Sequence, residues 1–150
     1  MHFLGIFTII CSGLMIGNEF AVSAFVNPAI WQLDGAAEAK AAILLARSLG
    51  KVMPFWYTLC LILMGIEAYL HRYDASLRPL LFAVVVWSAT IIYTVALLVP
   101  INNRIAALTL ASPRATWKQD HKKWDTLHRW RIVLLIIAMA GLTYALVRPD

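Results

Sequence analysis

The chain has 150 residues, 61% of them hydrophobic and 14% charged, with mean hydropathy +0.73 and a formal net charge of +5. That composition excludes an ordinary soluble domain and puts the buried volume between helices in lipid, within one domain spanning 1–150. With no Gly-rich phosphate loop or nucleic-acid module in the sequence, the positive charge reads as membrane topology and contact with anionic headgroups, and no nucleic-acid partner is expected.

Four apolar stretches, near 3–27, 54–71, 79–101 and 129–147, are each long enough to cross a hydrocarbon core of roughly 30 Å, the second only barely. The expected fold is therefore all-α, a four-transmembrane-helix bundle with a cytoplasmic helical cap. In the first stretch Gly5, Thr8, Ser12, Glu19 and Ser23 share a sector at 100° per residue, with Asn27 just beyond. Glu19 has no basic residue between Met1 and Lys40 to pair with. A charge near a bilayer centre costs about 2.5–3.5 kcal/mol on insertion scales, so such a residue marks a substrate, ion or proton path or is hydrogen-bonded glue between helices. If Glu19 is functional, Glu19→Gln is expected to leave folding nearly intact yet abolish oxidation or ligand binding. Val22-Ser23-Ala24 would suit signal cleavage, but the segment before it lacks Lys and Arg, so it is read as a retained helix. Gly13, Gly17, Ala21 and Ala24 make a small-residue stripe that packing within the chain explains as well as dimerisation does, so a homo-oligomer stays open. Cys11 and Cys60 lie in different spans without a Cys-x-x-Cys and read as small apolar fillers.

Beyond the first span, Asp34 is placed to cap a short helix over Gly35–Leu49 that Gly50 ends, with Pro54 near the start of the second span. Ala36, Ile43 and Leu44 among Glu38, Lys40 and Arg47 suggest that this helix lies on the membrane interface. Glu67 and His71 fall at the opposite surface, interfacial and solvated respectively. In the third span Trp87, Thr90, Thr94 and Asn102 share a sector, and Pro100 loosens its last turn. The next connection breaks at Ser112-Pro113. Thr116-x-x-Gln119 has the form of a capping box, and from Trp117 nothing interrupts a helix before Pro149. On that last helix His121, Asp125 and His128 align at spacings of four and three, beside Trp124 and Arg131. Lys118, Lys122 and Lys123 read as a wetted face on headgroups.

Lys and Arg divide ten to three between the two sides, which puts both termini outside and both long connections in the cytoplasm of a bacterial-type inner membrane. That topology brings Glu19, Asn27, Asn102, His128 and Arg131 to one half of the bundle. Metal spacing is incomplete: Glu19, His121, Asp125 and His128 are the available ligands, but a di-iron bundle needs two Glu-x-x-His repeats and two further carboxylates. The expectation is no cofactor or a single metal site.

Gly17-x-Glu19 followed by Asn27-Pro28, then Pro100-x-Asn102, then Trp124-x-x-x-His128-x-x-Arg131 resemble the small four-helix membrane proteins grouped with anthrone oxygenases, in order and spacing over the whole chain. The resemblance implies the fold strongly and the substrate weakly, since fungal members oxidise anthrones to anthraquinones while most bacterial members have no assigned reaction. It implies an oxygenase-like membrane oxidoreductase acting on a lipophilic, anthrone- or quinol-like molecule. Such chemistry needs a base, an oxyanion partner and a dry pocket. His128 is the first choice of base and Glu19 the second; Asn27, Asn102 and Arg131 would bind the substrate's polar groups, and Trp87 and Trp124 its flat ring. Two alternatives remain: a proton-coupled exporter using Glu19, against which the 28-residue connection Asn102–Arg129 argues, and a non-catalytic subunit binding a lipid or other ligand. The partners expected are that lipophilic ligand and membrane lipids.

Overall fold

The structure is a computed structural model that describes residues 3–109 and 116–147. Four helices, α1 (Phe3–Ile30), α2 (Gly35–Leu70), α3 (Leu77–Ala106) and α4 (Trp117–Val147), are long and apolar enough to cross a membrane and point to an integral membrane protein. No strand occurs among the described residues. The helices run up and down in a ring: each packs on its neighbour in the chain, and α4 closes against α1. Phe7, Leu14, Phe55, Val85, Ile92 and Ile136 point outward, the surface expected where the solvent is hydrocarbon. The expected break at Ser112-Pro113, with Arg114 and Arg148 of the charge count, lies outside the described residues.

Several expectations are corrected. Gly50 does not end a helix, because α2 runs unbroken for 36 residues with Pro54 inside it. A glycine stop needs a left-handed backbone, and no described glycine has positive φ. Gly50 instead admits Asn102 of α3: a Cβ there would lie 3.0 Å from Asn102 Nδ2, which donates to Ala46 O at 3.1 Å. The first half of α2 is not a separate surface helix either. Ala39, Ala42, Ile43 and Ala46 are buried in the bundle while Leu44 stays exposed, since the small side chains let α2 approach its neighbours closely.

The long third connection also shrinks, because α3 continues to Ala106 and α4 begins at Trp117. Three helical extensions thus build the cap at one end of the bundle, pinned by Arg104 to Asp120 (2.6 and 2.9 Å), Arg47 Nε to Ala106 O (2.9 Å) and Lys118 Nζ to Glu38 Oε2 (2.7 Å). Lys118 is thus an ion-pair partner of a buried carboxylate. Glu67, read as interfacial, is 1% exposed with His71 Nδ1 3.5 Å from its Oε2. Gly17 is exposed and has nothing within 4 Å of an added Cβ, while a Cβ on Gly13 would meet Met139 Cε at 3.8 Å, so the small-residue stripe touches the rest of the chain at Gly13 and not at Gly17.

Two apolar clusters stack along the bundle. One holds Met15, Cys60, Met64, Leu80, Trp87, Leu135 and Leu142; the other, in the cap, holds Val22, Ile43, Leu98, Ile101, Trp117 and Trp124. α1 and α3 each carry a wide turn at the junction, Val22–Val26 and Thr94–Leu98, followed two residues later by Pro28 or Pro100. A π-turn shifts the hydrogen-bond ladder by one residue and gives a proline ring room that a regular helix would not.

Candidate functional site

Between the two clusters lies a polar layer. The stripe expected on α1 is buried throughout: Gly5, Thr8, Ser12, Glu19, Ser23 and Asn27 all face inward. On α4 the 3.6-residue period turns Trp117, His121, Trp124, Asp125, His128 and Arg131 to the same interior. Glu19 does have a basic partner, though one 112 residues away.

Arg131 Nη2 donates to Glu19 Oε2 and also, at 2.7 Å, to His128 Nδ1. His128 Nε2 lies 3.0 Å from the backbone oxygen of Glu19. A carbonyl can only accept, so Nε2 carries the imidazole proton and Nδ1 is free to accept from the guanidinium. His128 Nδ1 and Glu19 Oε2, 3.1 Å apart, are thus bridged by one Arg131 amine. Tyr57 of α2 completes the layer, its hydroxyl donating to Glu19 Oε1 at 3.3 Å. Trp124 stacks on the His128 ring at 4.6 Å and 13°, fixing the imidazole plane. Glu19 and His128 are 2% and 0% exposed, and each charge or dipole is met by another, as burial in a low dielectric requires. Arg131 keeps one open valence: its buried Nε has no protein partner.

Toward the cap, Asn27 Nδ2 donates to Asp125 Oδ1 at 2.9 Å, and Arg129 Nη2 to Asp125 Oδ2 at 2.8 Å. His121 is stacked with Trp31 (4.6 Å) and Trp117 (6.2 Å). Glu19, His121, Asp125 and His128 therefore do not converge as one ligand set, and among the described residues no three His, Cys, Asp or Glu side chains are grouped to hold a metal ion. The helical spacing of His121, Asp125 and His128 is real, but the three are used in separate contacts.

A cavity of about 290 Å³ opens beside this layer. α2 and α3 form its sides, with Met53, Tyr57, Thr94 and Leu98 among the lining, and Trp124 and Arg131 of α4 form its back. Of the residues expected to meet a ligand, Asn102, Trp124 and Arg131 line it. Glu19 and His128 stand behind Arg131 and do not. Trp87 is 0% exposed and outside the lining; its indole N–H is spent on Tyr57 O at 3.1 Å, so it buttresses the wall that carries Tyr57. Asn27 also lies off the cavity, holding Asp125. Tyr57 and Met53 were not legible as site residues, because a tyrosine or methionine in an apolar span has the signature of an anchor or filler.

The family model of anthrone oxygenase matches residues 42–141, a stretch that contains the whole cavity lining together with Tyr57, Trp124, His128 and Arg131 of the polar layer, but none of its α1 residues. No curated protein and no solved structure matches the chain.

Proposed function

The chain belongs to the anthrone oxygenase family, and from that premise we propose that it is a membrane oxygenase that uses dioxygen to oxidise a lipophilic aromatic ketone of anthrone type in the cavity beside Arg131. The observation that carries the reading is the buried Glu19–His128–Arg131 layer directly behind an apolar cavity, with Arg131 and Tyr57 as the two members that reach it.

The chemistry follows from what each group can do. The substrate oxygen accepts from Arg131, which stabilises the anion formed when the acidic C–H is lost. Tyr57 takes up that proton as its own moves to Glu19 Oε1, 3.3 Å away. The carbanion's electron pair bonds to dioxygen, giving a hydroperoxide on the former C–H carbon once a proton returns. Loss of water from that carbon breaks the O–O bond and leaves a second carbonyl. Dioxygen is consumed, and quinone and water are released in equal amounts. His128, with both ring nitrogens engaged, acts as a positioning residue that holds the guanidinium in place. The membrane reading adds a bacterial-type inner membrane with both termini outside. The exporter alternative needs Glu19 open to solvent or ligand, and its pairing with Arg131 weighs against that.

The test is turnover of anthrone by the purified protein in lipid nanodiscs, followed by oxygen uptake and quinone absorbance above the uncatalysed background. Arg131→Lys and Tyr57→Phe should each lower kcat by about 10²-fold, as loss of one preorganised donor does. Turnover no faster than background, or variants equal to the native protein, refutes the reading.

A further inference from the structure

The cavity is a slot in the flank of the bundle. Its rim on α2 is Gly50, Pro54 and Thr58, and its rim on α3 is Val95, Val99 and Asn103, all of them exposed. These two edges face outward from the ring, so what meets them is the medium around the bundle. α2 and α3 carry mean hydropathies of 1.6 and 2.3 over their most apolar windows, and around such helices that medium is lipid.

The slot has an identifiable cause. Pro54 removes a ladder hydrogen bond from α2, and the wide turn Thr94–Leu98 swells α3 on the opposite edge. Both irregularities border the cavity, and Gly50 contributes no side chain to fill it. Non-helical or widened backbone at membrane depth is tolerated where it lines a cavity, which is where both are found.

At the back of the slot stands Arg131, the one charged side chain in its lining. A lipid tail entering from the bilayer would match the apolar sides and offer nothing to that guanidinium. A planar molecule bearing a carbonyl or phenolic oxygen satisfies both. The volume, about 290 Å³, equals roughly ten waters at about 30 Å³ each, room for a fused ring system and not for a whole lipid.

We propose that this slot is a lateral portal: the aromatic substrate enters from the bilayer between α2 and α3, past Pro54 and Val99, and seats its oxygen against the Arg131 guanidinium. The identity of the substrate rests on the oxygenase reading; the route does not.

The experiment therefore measures the route first. A nitroxide on Thr94→Cys, in full-length protein carrying Cys11→Ser and Cys60→Ser in nanodiscs, is expected to collide more often with lipid-soluble dioxygen than with a water-soluble nickel chelate. Val95→Trp with Val99→Trp, both on the lipid-facing rim, should suppress the dioxygen collisions. Nickel-dominated relaxation, or no effect of the tryptophan pair, overturns the portal whatever the protein catalyses. The second arm titrates 1,8-dihydroxyanthraquinone, a tricyclic phenol with a visible spectrum. The tryptophan pair should weaken its binding by about tenfold or more, and Arg131→Lys should do the same while leaving the nitroxide accessible. Unchanged binding in the tryptophan pair overturns the portal as the route of entry. A lipid-accessible nitroxide with binding lost in both variants, in a protein without anthrone turnover, supports the portal and removes only the oxygenase reading.

Discussion

Replacing Glu19 by Gln tests the polar layer as an energetic unit. The side chains of Arg131 and Glu19 are 6% and 2% exposed, so the amide leaves a buried guanidinium facing no counter-charge. Removing one member of a buried pair costs about 3–5 kcal/mol in soluble proteins. Inside a bilayer the unpacked helices also find polar partners, which lowers measured interhelical terms. A loss of about 3 kcal/mol, the low end of the buried-pair range, is the expected result, or about 10²-fold in the folding equilibrium. Arg131→Gln should cost less, because a carboxyl group has an accessible neutral form and a guanidinium has none. The double variant Glu19→Gln/Arg131→Gln buries no net charge and should be no less stable than Glu19→Gln alone, a coupling of about 2 kcal/mol. Reversible unfolding in bicelles, followed by far-ultraviolet circular dichroism, measures all four proteins. A Glu19→Gln loss under about 1 kcal/mol, or strict additivity in the cycle, would show that the ion pair does not hold the layer together. This reverses the sequence-based expectation of an intact fold, which treated Glu19 as a carboxyl without a partner.

Cysteines at Ala37 and Thr116 should label only from the cytoplasm and tags at both termini only from outside; the opposite pattern would overturn the topology drawn from the Lys and Arg asymmetry. Among the glycines, Gly141→Ala puts a Cβ 3.0 Å from Phe82 Cδ1 and 3.4 Å from Pro79 O and should cost about 1–3 kcal/mol, whereas Gly17→Ala meets nothing within 4 Å and should gain up to about 1 kcal/mol of helix propensity. Equal midpoints for the two in thermal melts would contradict the packing described for α3 on α4.

The four spans and the inward stripe of α1 are legible in the sequence because lipid rewards continuous apolar runs and penalises each stray polar side chain. The start of α4 at Trp117 is legible too, from an uninterrupted helical pattern after Thr116. What links the stripe to α4 is not: the pairing of Glu19 with Arg131 spans 112 residues and has no local signature. Gly50 misleads because a glycine that admits a neighbouring helix and one that stops a helix look alike until φ is known. Trp87 misleads for a related reason, since an indole on a polar face fits a ligand wall and a hydrogen-bonded core position equally well. The cavity has no sequence signal of its own; it exists because Pro54 and the turn Thr94–Leu98 meet across two helices.

The wide turns have a consequence for how this chain can change. In α1 a regular segment of 19 residues precedes the turn, and in α3 one of 17, so the two turns sit at similar depth. Each inserts a step of phase between the helix before it and the helix after it. Because a wide turn absorbs one residue, deleting one from Val22–Val26 would restore a regular ladder with Asn27 still facing Asp125, whereas a deletion within Phe3–Ala21 would turn one side of α1 by about 100° against the other. α2 and α4 pass the same level as regular helices and carry one angular register from end to end. A residue gained or lost at either wide turn is therefore absorbed within α1 or α3, and the contacts those helices make on both sides of the turn stay aimed at α2 and α4.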